Sequence, residues 1–269
     1  MGPLWRRFQA APAAVLTLLA VAASASCRFL PNEPYWIEPH GTAQGVGVTA
    51  WPSGALAIGT DRHLYRYPGA WSRPWLPHGP TQNLRAIAAS RVAVYAILDD
   101  GQVARFADNT WTPLAGSASW GASGLAATED DRLFVLVGGR ARLVEGVDLK
   151  EGPCGSLVGT SISAVGSDDL YVLDAAGNLH QGRSGRCDRV DAPVPLQRVA
   201  ATKDRLVAVG KDGSVWRRRD GAWKVLPEPR KFRPGRRPYT TRARDVAVSP
   251  HSTWIMDDEG HVFLLSAET

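Results

Sequence analysis

The sequence predicts an all-β fold: a six-bladed β-propeller of four-stranded antiparallel blades. Three observations predict it. One pattern recurs six times between residues 46 and 269, its spacing is nearly regular, and no long 3.6-residue apolar period follows the N-terminal leader. The clearest copies are AIAASRVAVYAILDDGQVARFADNTWTPL, RVAATKDRLVAVGKDGSVWRRRDGAWKVL and DVAVSPHSTWIMDDEGHVFLL. Each reads as an apolar strand, a polar break, a second apolar strand, an acidic-Gly turn, an alternating third strand, a second turn and a Trp-led fourth strand.

The elements follow in chain order. Residues 1–26 read as a secretion signal to be removed: Arg6 and Arg7 precede a largely apolar run from Ala13 to Ala23, which is followed by small residues. That run is too short to span a bilayer, which takes about 20 apolar residues. Ser24-Ala25-Ser26-Cys27 resembles a bacterial lipobox and makes Cys27 the candidate lipidation site, while Ala23-Ser24-Ala25 also suits ordinary signal cleavage. Residues 27–45 then hold the lipidated N-terminus and, near 34–39, a short strand around Trp36. The sixth copy stops at FLLSAET without a fourth strand, so the strand at Trp36 is expected to pair beside His261–Leu265 and close the ring.

The blades are expected near 46–83, 84–122, 123–161, 162–197, 198–243 and 244–269, the last with 34–39. Their register is anchored on the turn between second and third strands, at Arg62, Gly101, Gly139, Gly177, Gly213 and Gly260, with intervals of 39, 38, 38, 36 and 47 residues. Such turns need residues that tolerate positive φ. Trp71, Trp111 and Trp223 follow three anchors at one repeat position, and with Trp36 they read as packing between blades. Cys154 and Cys187 are read as holding that position in the third and fourth copies, either as small apolar substitutes or as a disulfide.

Val94 to Phe106 with Trp111, Leu206 to Arg217 with Trp223, and Ser252 to Leu265 with Trp254 resemble the repeats of the tectonin family of β-propellers. The first copy departs from that pattern with Asp-Arg at its turn, and the third with Gly-Gly and no Trp. The resemblance implies carbohydrate or lipopolysaccharide recognition. The Trp-Asp dipeptides of WD repeats are absent.

Charge is concentrated late in the chain. The formal net charge is +5, yet residues 217–244 hold eleven basic and two acidic side chains. The insertion EPRKFRPGRRPYTTRAR accounts for the long last interval and offers Arg230, Lys231, Arg233, Arg236 and Arg237 to carboxylates or phosphates. The plain alternative is a solvated basic loop. Trp120, in GSASWGASG, and Trp216 lie outside the common Trp position and are the candidate exposed aromatics.

Catalysis finds little support. The six histidines form no HExxH or zinc-type cluster, the acidic pairs fall at strand ends where Asp favours turns, and there is no GxSxG. The expectation is therefore a non-enzyme without cofactor or metal and without a nucleic-acid partner. It is expected to mediate protein–protein interaction at the bacterial cell envelope, held to the membrane by its N-terminal lipid. Outer-membrane lipoprotein is the expected address, with a soluble periplasmic or secreted form as the alternative. The alternative function is lectin-like recognition of an anionic glycan or lipopolysaccharide through the basic loop and exposed Trp residues.

Overall fold

A computed structural model describes residues 36–38, 45–51, 54–68, 74–231 and 239–265. These fold into six four-stranded antiparallel sheets, numbered here as blades 1 to 6. The innermost strands are Gly45–Trp51, Leu84–Ala89, Ala122–Ala127, Gly159–Gly166, Leu196–Thr202 and Ala243–Val248. Each packs against the inner strand of the next blade, and blade 6 packs against blade 1, so the ring closes.

Burial is greatest in the second strand of each blade and, in blades 1 to 5, falls toward the outermost strand. The second strands are apolar on both faces because a neighbouring blade covers each face; Val94–Leu98 and Thr253–Asp257 are buried throughout. Outermost strands are mostly exposed, as in Thr110–Pro113, Asp148–Glu151, Arg186–Val190 and Ala222–Val225. This gradient explains why the copies open with apolar runs and end on polar strands bearing one large residue.

Blade 6 closes as the sequence predicts. Trp36–Ile37 pairs antiparallel with Val262–Leu265, matching Trp36 to Leu265 and Ile37 to Leu264. Trp36 is buried with Val246, Ile255, Phe263 and Leu226, and its indole N–H donates to the Pro227 carbonyl at 2.7 Å. Residues from both ends of the chain therefore share one sheet, and its hydrophobic cluster includes side chains of blade 5.

The anchor residues have a common conformation. Arg62, Gly101, Gly177, Gly213 and Gly260 have φ between 68° and 92°, each closing a three-residue hairpin loop whose N–H donates to the carbonyl three residues earlier. In blade 3 the loop is shorter: Gly138 and Gly139, at φ 56° and 75°, form a two-residue turn between paired Val137 and Arg140. The anchor carbonyls also join the blades. Those of Arg62, Gly139, Gly177, Gly213 and Gly260 accept the N–H of Leu84, Gly159, Leu196, Ala243 and Gly45, each the first residue of the next inner strand. The repeat interval is thus the distance between successive hydrogen-bonded blade junctions.

Two sequence expectations need correction. The outer-strand position of Trp111 and Trp223 is held in blade 4 by Cys187 but in blade 3 by Leu149, which pairs with Val144; Cys154 lies beyond that strand, in the turn leading to blade 4. Trp120 is not exposed: it is 8% accessible, wedged between blades 2 and 3 among Tyr95, Val103, Ala122 and Leu133. The small-residue segment around it forms a short 3-10 turn, Ser117–Ser119, and delivers the ring inward. Burial of so large an apolar surface outweighs the exposure that a small polar loop suggests.

Candidate functional site

One face of the ring gathers the anchor turns, the starts of the inner strands and the basic insertion. The placement follows from strand direction: each inner strand begins beside the anchor turn of the preceding blade, as the junction hydrogen bonds require. The insertion between blades 5 and 6 begins and ends at this face. Its base is a two-stranded ribbon in which Arg230–Lys231 pairs with Tyr239–Thr240. Beyond it, Thr241 donates its hydroxyl to Asp257 at 3.0 Å and Asp258 at 3.2 Å, while the Asp258 N–H donates to the Arg242 carbonyl at 3.0 Å. The ribbon therefore rises from a fixed base on the blade 6 turn.

Arg230 is exposed on that ribbon. Lys231 contributes backbone pairing, and its side chain lies outside the described set, as do Arg233, Arg236, Arg237 and Cys27. Trp216 is half-buried in blade 5 and donates its indole N–H to Ser214 Oγ at 2.7 Å. Cys154 and Cys187 are joined by a disulfide between blades 3 and 4, with Cα atoms 5.1 Å apart. Gly182 makes the approach possible, because a Cβ there would come within 2.5 Å of Pro153 and 3.0 Å of Cys154 Sγ.

Carboxylates organise the anchor turns. Asp61, Asp100 and Asp212 accept the N–H two residues on, from His63, Gln102 and Ser214. In blades 4 and 6 the carboxylate sits two places earlier in the loop, where Asp174 accepts from Asn178 N–H at 2.8 Å and Asp257 from His261 N–H at 2.7 Å. Partial burial alone would raise the Asp174 carboxyl, but bonds from Asn178, His180 and Gly177 prevail and hold it at about 2. His63, His180 and His261 each lie within 3.4 Å of their turn aspartate. These recurring pairs serve separate turns and do not converge on one cleft. Among the described residues no group of three or more His, Cys, Asp or Glu could hold a metal ion.

The remaining feature is the channel on the ring axis. A cavity of about 260 Å³ is lined by all six inner strands, mostly by small residues such as Ala88, Ala126, Ala164 and Ala200. Every inner strand carries a β-bulge at one register, at Val46, Arg85, Ser123, Thr160, Gln197 and Arg244. A bulge leaves one residue unpaired and turns its side chain away from the regular pleat. The sequence contained this signal as the residue after the first of each copy, but the repeat hides it because the chemical type varies.

No protein-family model matches the chain, and no curated protein matches its sequence. Solved structures share its fold. YCF48 bound to D1 peptide is 12% identical with a TM-score of 0.59, covering 89% of this chain and 98% of that one. Virginiamycin B lyase from Staphylococcus aureus is 10% identical with a TM-score of 0.56, covering 87% and 99%. PorZ, a surface component of the type-IX secretion system of Porphyromonas gingivalis, is 12% identical with a TM-score of 0.51 over 87% of this chain, which spans only 38% of PorZ. At such identities the likeness concerns the fold, which binding proteins and an enzyme both use.

Proposed function

We propose that this chain is a non-catalytic binding propeller, anchored at the bacterial cell envelope through Cys27, that holds a protein partner on its insertion-bearing face. The observation that carries the reading is the basic ribbon between blades 5 and 6. Its base is fixed by Thr241, Arg242 and the Asp257–Asp258 turn, and Arg230 projects from it. A fixed base lowers the conformational cost of docking, and guanidinium groups pair bidentately with carboxylates. A propeller of this fold, YCF48, was solved with a bound D1 peptide, and another, PorZ, is a bacterial surface component; both settings are compatible with this reading. Within this proposal the Cys154–Cys187 bridge forms after export, in an oxidising compartment.

The tectonin-like character of the repeats supports a second reading, recognition of an anionic glycan or lipopolysaccharide by the same face. Burial of Trp120 removes one of its two aromatic platforms and leaves half-buried Trp216, so the protein partner is the preferred reading. Cross-linking in native envelopes, followed by mass spectrometry, tests the two. A single stoichiometric protein lost on Arg230, Arg233, Arg236 and Arg237→Ala supports the first reading. Salt-sensitive retention of lipopolysaccharide by the delipidated chain, with no protein recovered, rejects it in favour of the second.

A further inference from the structure

The sixfold bulge places unlike side chains at equivalent points around the channel mouth. In blades 1, 3 and 4 these are Val46, Ser123 and Thr160, and in blade 5 Gln197, which donates to the Ala243 carbonyl at 3.1 Å. Blades 2 and 6 carry Arg85 and Arg244 there, and blade 5 adds Arg198 at the next residue. Arg85 and Arg198 both line the axial cavity. Blades 2 and 5 stand opposite one another in a six-membered ring, so the two guanidinium-bearing strands face each other across the axis.

Their environments differ in a way that matters for a ligand. Arg198 is partly occupied: its Nε lies 3.7 Å from Asp245 Oδ1, and its Nη1 donates to the Gln197 carbonyl at 3.0 Å. Arg244 donates to the Gly45 carbonyl at 3.3 Å, which ties it to the blade 6–blade 1 junction. Arg85 is exposed in the cavity wall and makes no hydrogen bond or ion pair among the described residues. Asp245, the one acid among the described residues lining the cavity, already accepts the Val48 N–H at 3.2 Å and the Val246 N–H at 3.0 Å. The lining thus carries two cations against one anion, and that anion is held by backbone.

From this arrangement we infer that the channel mouth is an oxyanion-binding site, in which Arg85 and Arg198 clamp a carboxylate or phosphate group on the ring axis. The inner strands also present their unpaired edges to the axis. Two of their N–H groups are taken by side chains of the preceding blade: Val48 by Asp245, and Ala201 by Ser163 at 2.9 Å. Others can donate to an anion in the same way. The cavity volume suits a small ligand or the terminal group of a longer one. This site is distinct from the ribbon, and its occupancy does not depend on a protein partner.

Titration calorimetry of the purified chain at low salt tests the site, using inorganic phosphate as the phosphate probe and glucuronate as the carboxylate probe. Saturable binding of one equivalent of either is expected, the tighter probe identifying the source of the group. Arg85→Gln and Arg198→Gln should each weaken it about tenfold. Asp245→Asn, which releases Arg198 while keeping an acceptor for Val48, should tighten it several-fold. Circular dichroism checks that each variant keeps its fold; Arg85→Gln removes no internal bond and serves if the others do not fold. Absence of saturable binding to either probe overturns the site, as does binding that survives Arg85→Gln and Arg198→Gln in folded protein.

Discussion

Arg62 holds at φ 68° a position where four other blades use glycine. Its Cβ pays a steric cost in the left-handed region that glycine avoids. Arg62→Gly is therefore expected to stabilise the fold by roughly 0.5–1 kcal/mol, the backbone gain being reduced by the greater freedom of glycine in the unfolded chain. Urea unfolding measures this; an unchanged or lower midpoint contradicts it. Asp174 supplies a second residue-scale prediction. Its folded carboxyl lies at about 2, below the ordinary 3.8, so its contribution is complete above pH 3.8 and disappears as pH falls through about 2. Allowing for solvent reaching 20% of the side chain, that contribution is about 1 kcal/mol. Asp174→Asn should lose it at pH 7 and show a shallower stability decline between pH 4 and 2; parallel stability curves for variant and native chain contradict the assignment. Arg62 is legible in the sequence because a hairpin turn makes a local demand for positive φ; Asp174, three residues before its anchor and outside the Ala-Ala-Gly turn, is not. Nor is Trp120, since its surroundings come from two blades and nothing within GSASWGASG encodes them.

At the scale of the element, the strand Trp36–Ile37 is the critical one. Two paired residues are few, but Trp36 is 6% exposed, sits in a cluster with residues of blades 5 and 6, and donates to Pro227. Trp36→Ala should cost about 3–5 kcal/mol, as buried Trp truncations do. Thermal unfolding followed by tryptophan fluorescence would show it, and a loss below about 1 kcal/mol would mean that blade 6 does not depend on this strand. The missing fourth strand of the last copy and the stray Trp near the N-terminus made the closure readable. The outer strand of blade 3 is illegible for the opposite reason: it has no Trp to mark it, and Leu149 holds the place that the spacing assigns to Cys154. The inner-strand bulges leave no mark in the sequence because their six residues share a register and no chemical type.

For the whole molecule, the closed ring leaves exposed outer strands and two unlike faces. The face with the anchor turns carries the basic ribbon and the channel mouth, while the opposite face carries the hairpins between first and second strands. Repetition in the sequence specifies the ring because five of the six blade junctions rest on the same anchor-to-inner-strand hydrogen bond. It is silent on function because binding depends on positions where the blades differ: the insertion of blade 5, Arg85 on blade 2 and Arg198 on blade 5. The proposal that a protein partner docks on the ribbon is tested most directly by quantitative cross-linking in native envelopes. Partner recovery would be compared for the native chain, the Arg230, Arg233, Arg236 and Arg237→Ala variant, and the Arg85→Gln, Arg198→Gln variant. The expected result is one partner recovered in equal amount with the native chain and the channel variant, and lost with the ribbon variant. Undiminished recovery with the ribbon variant would contradict the proposed docking face.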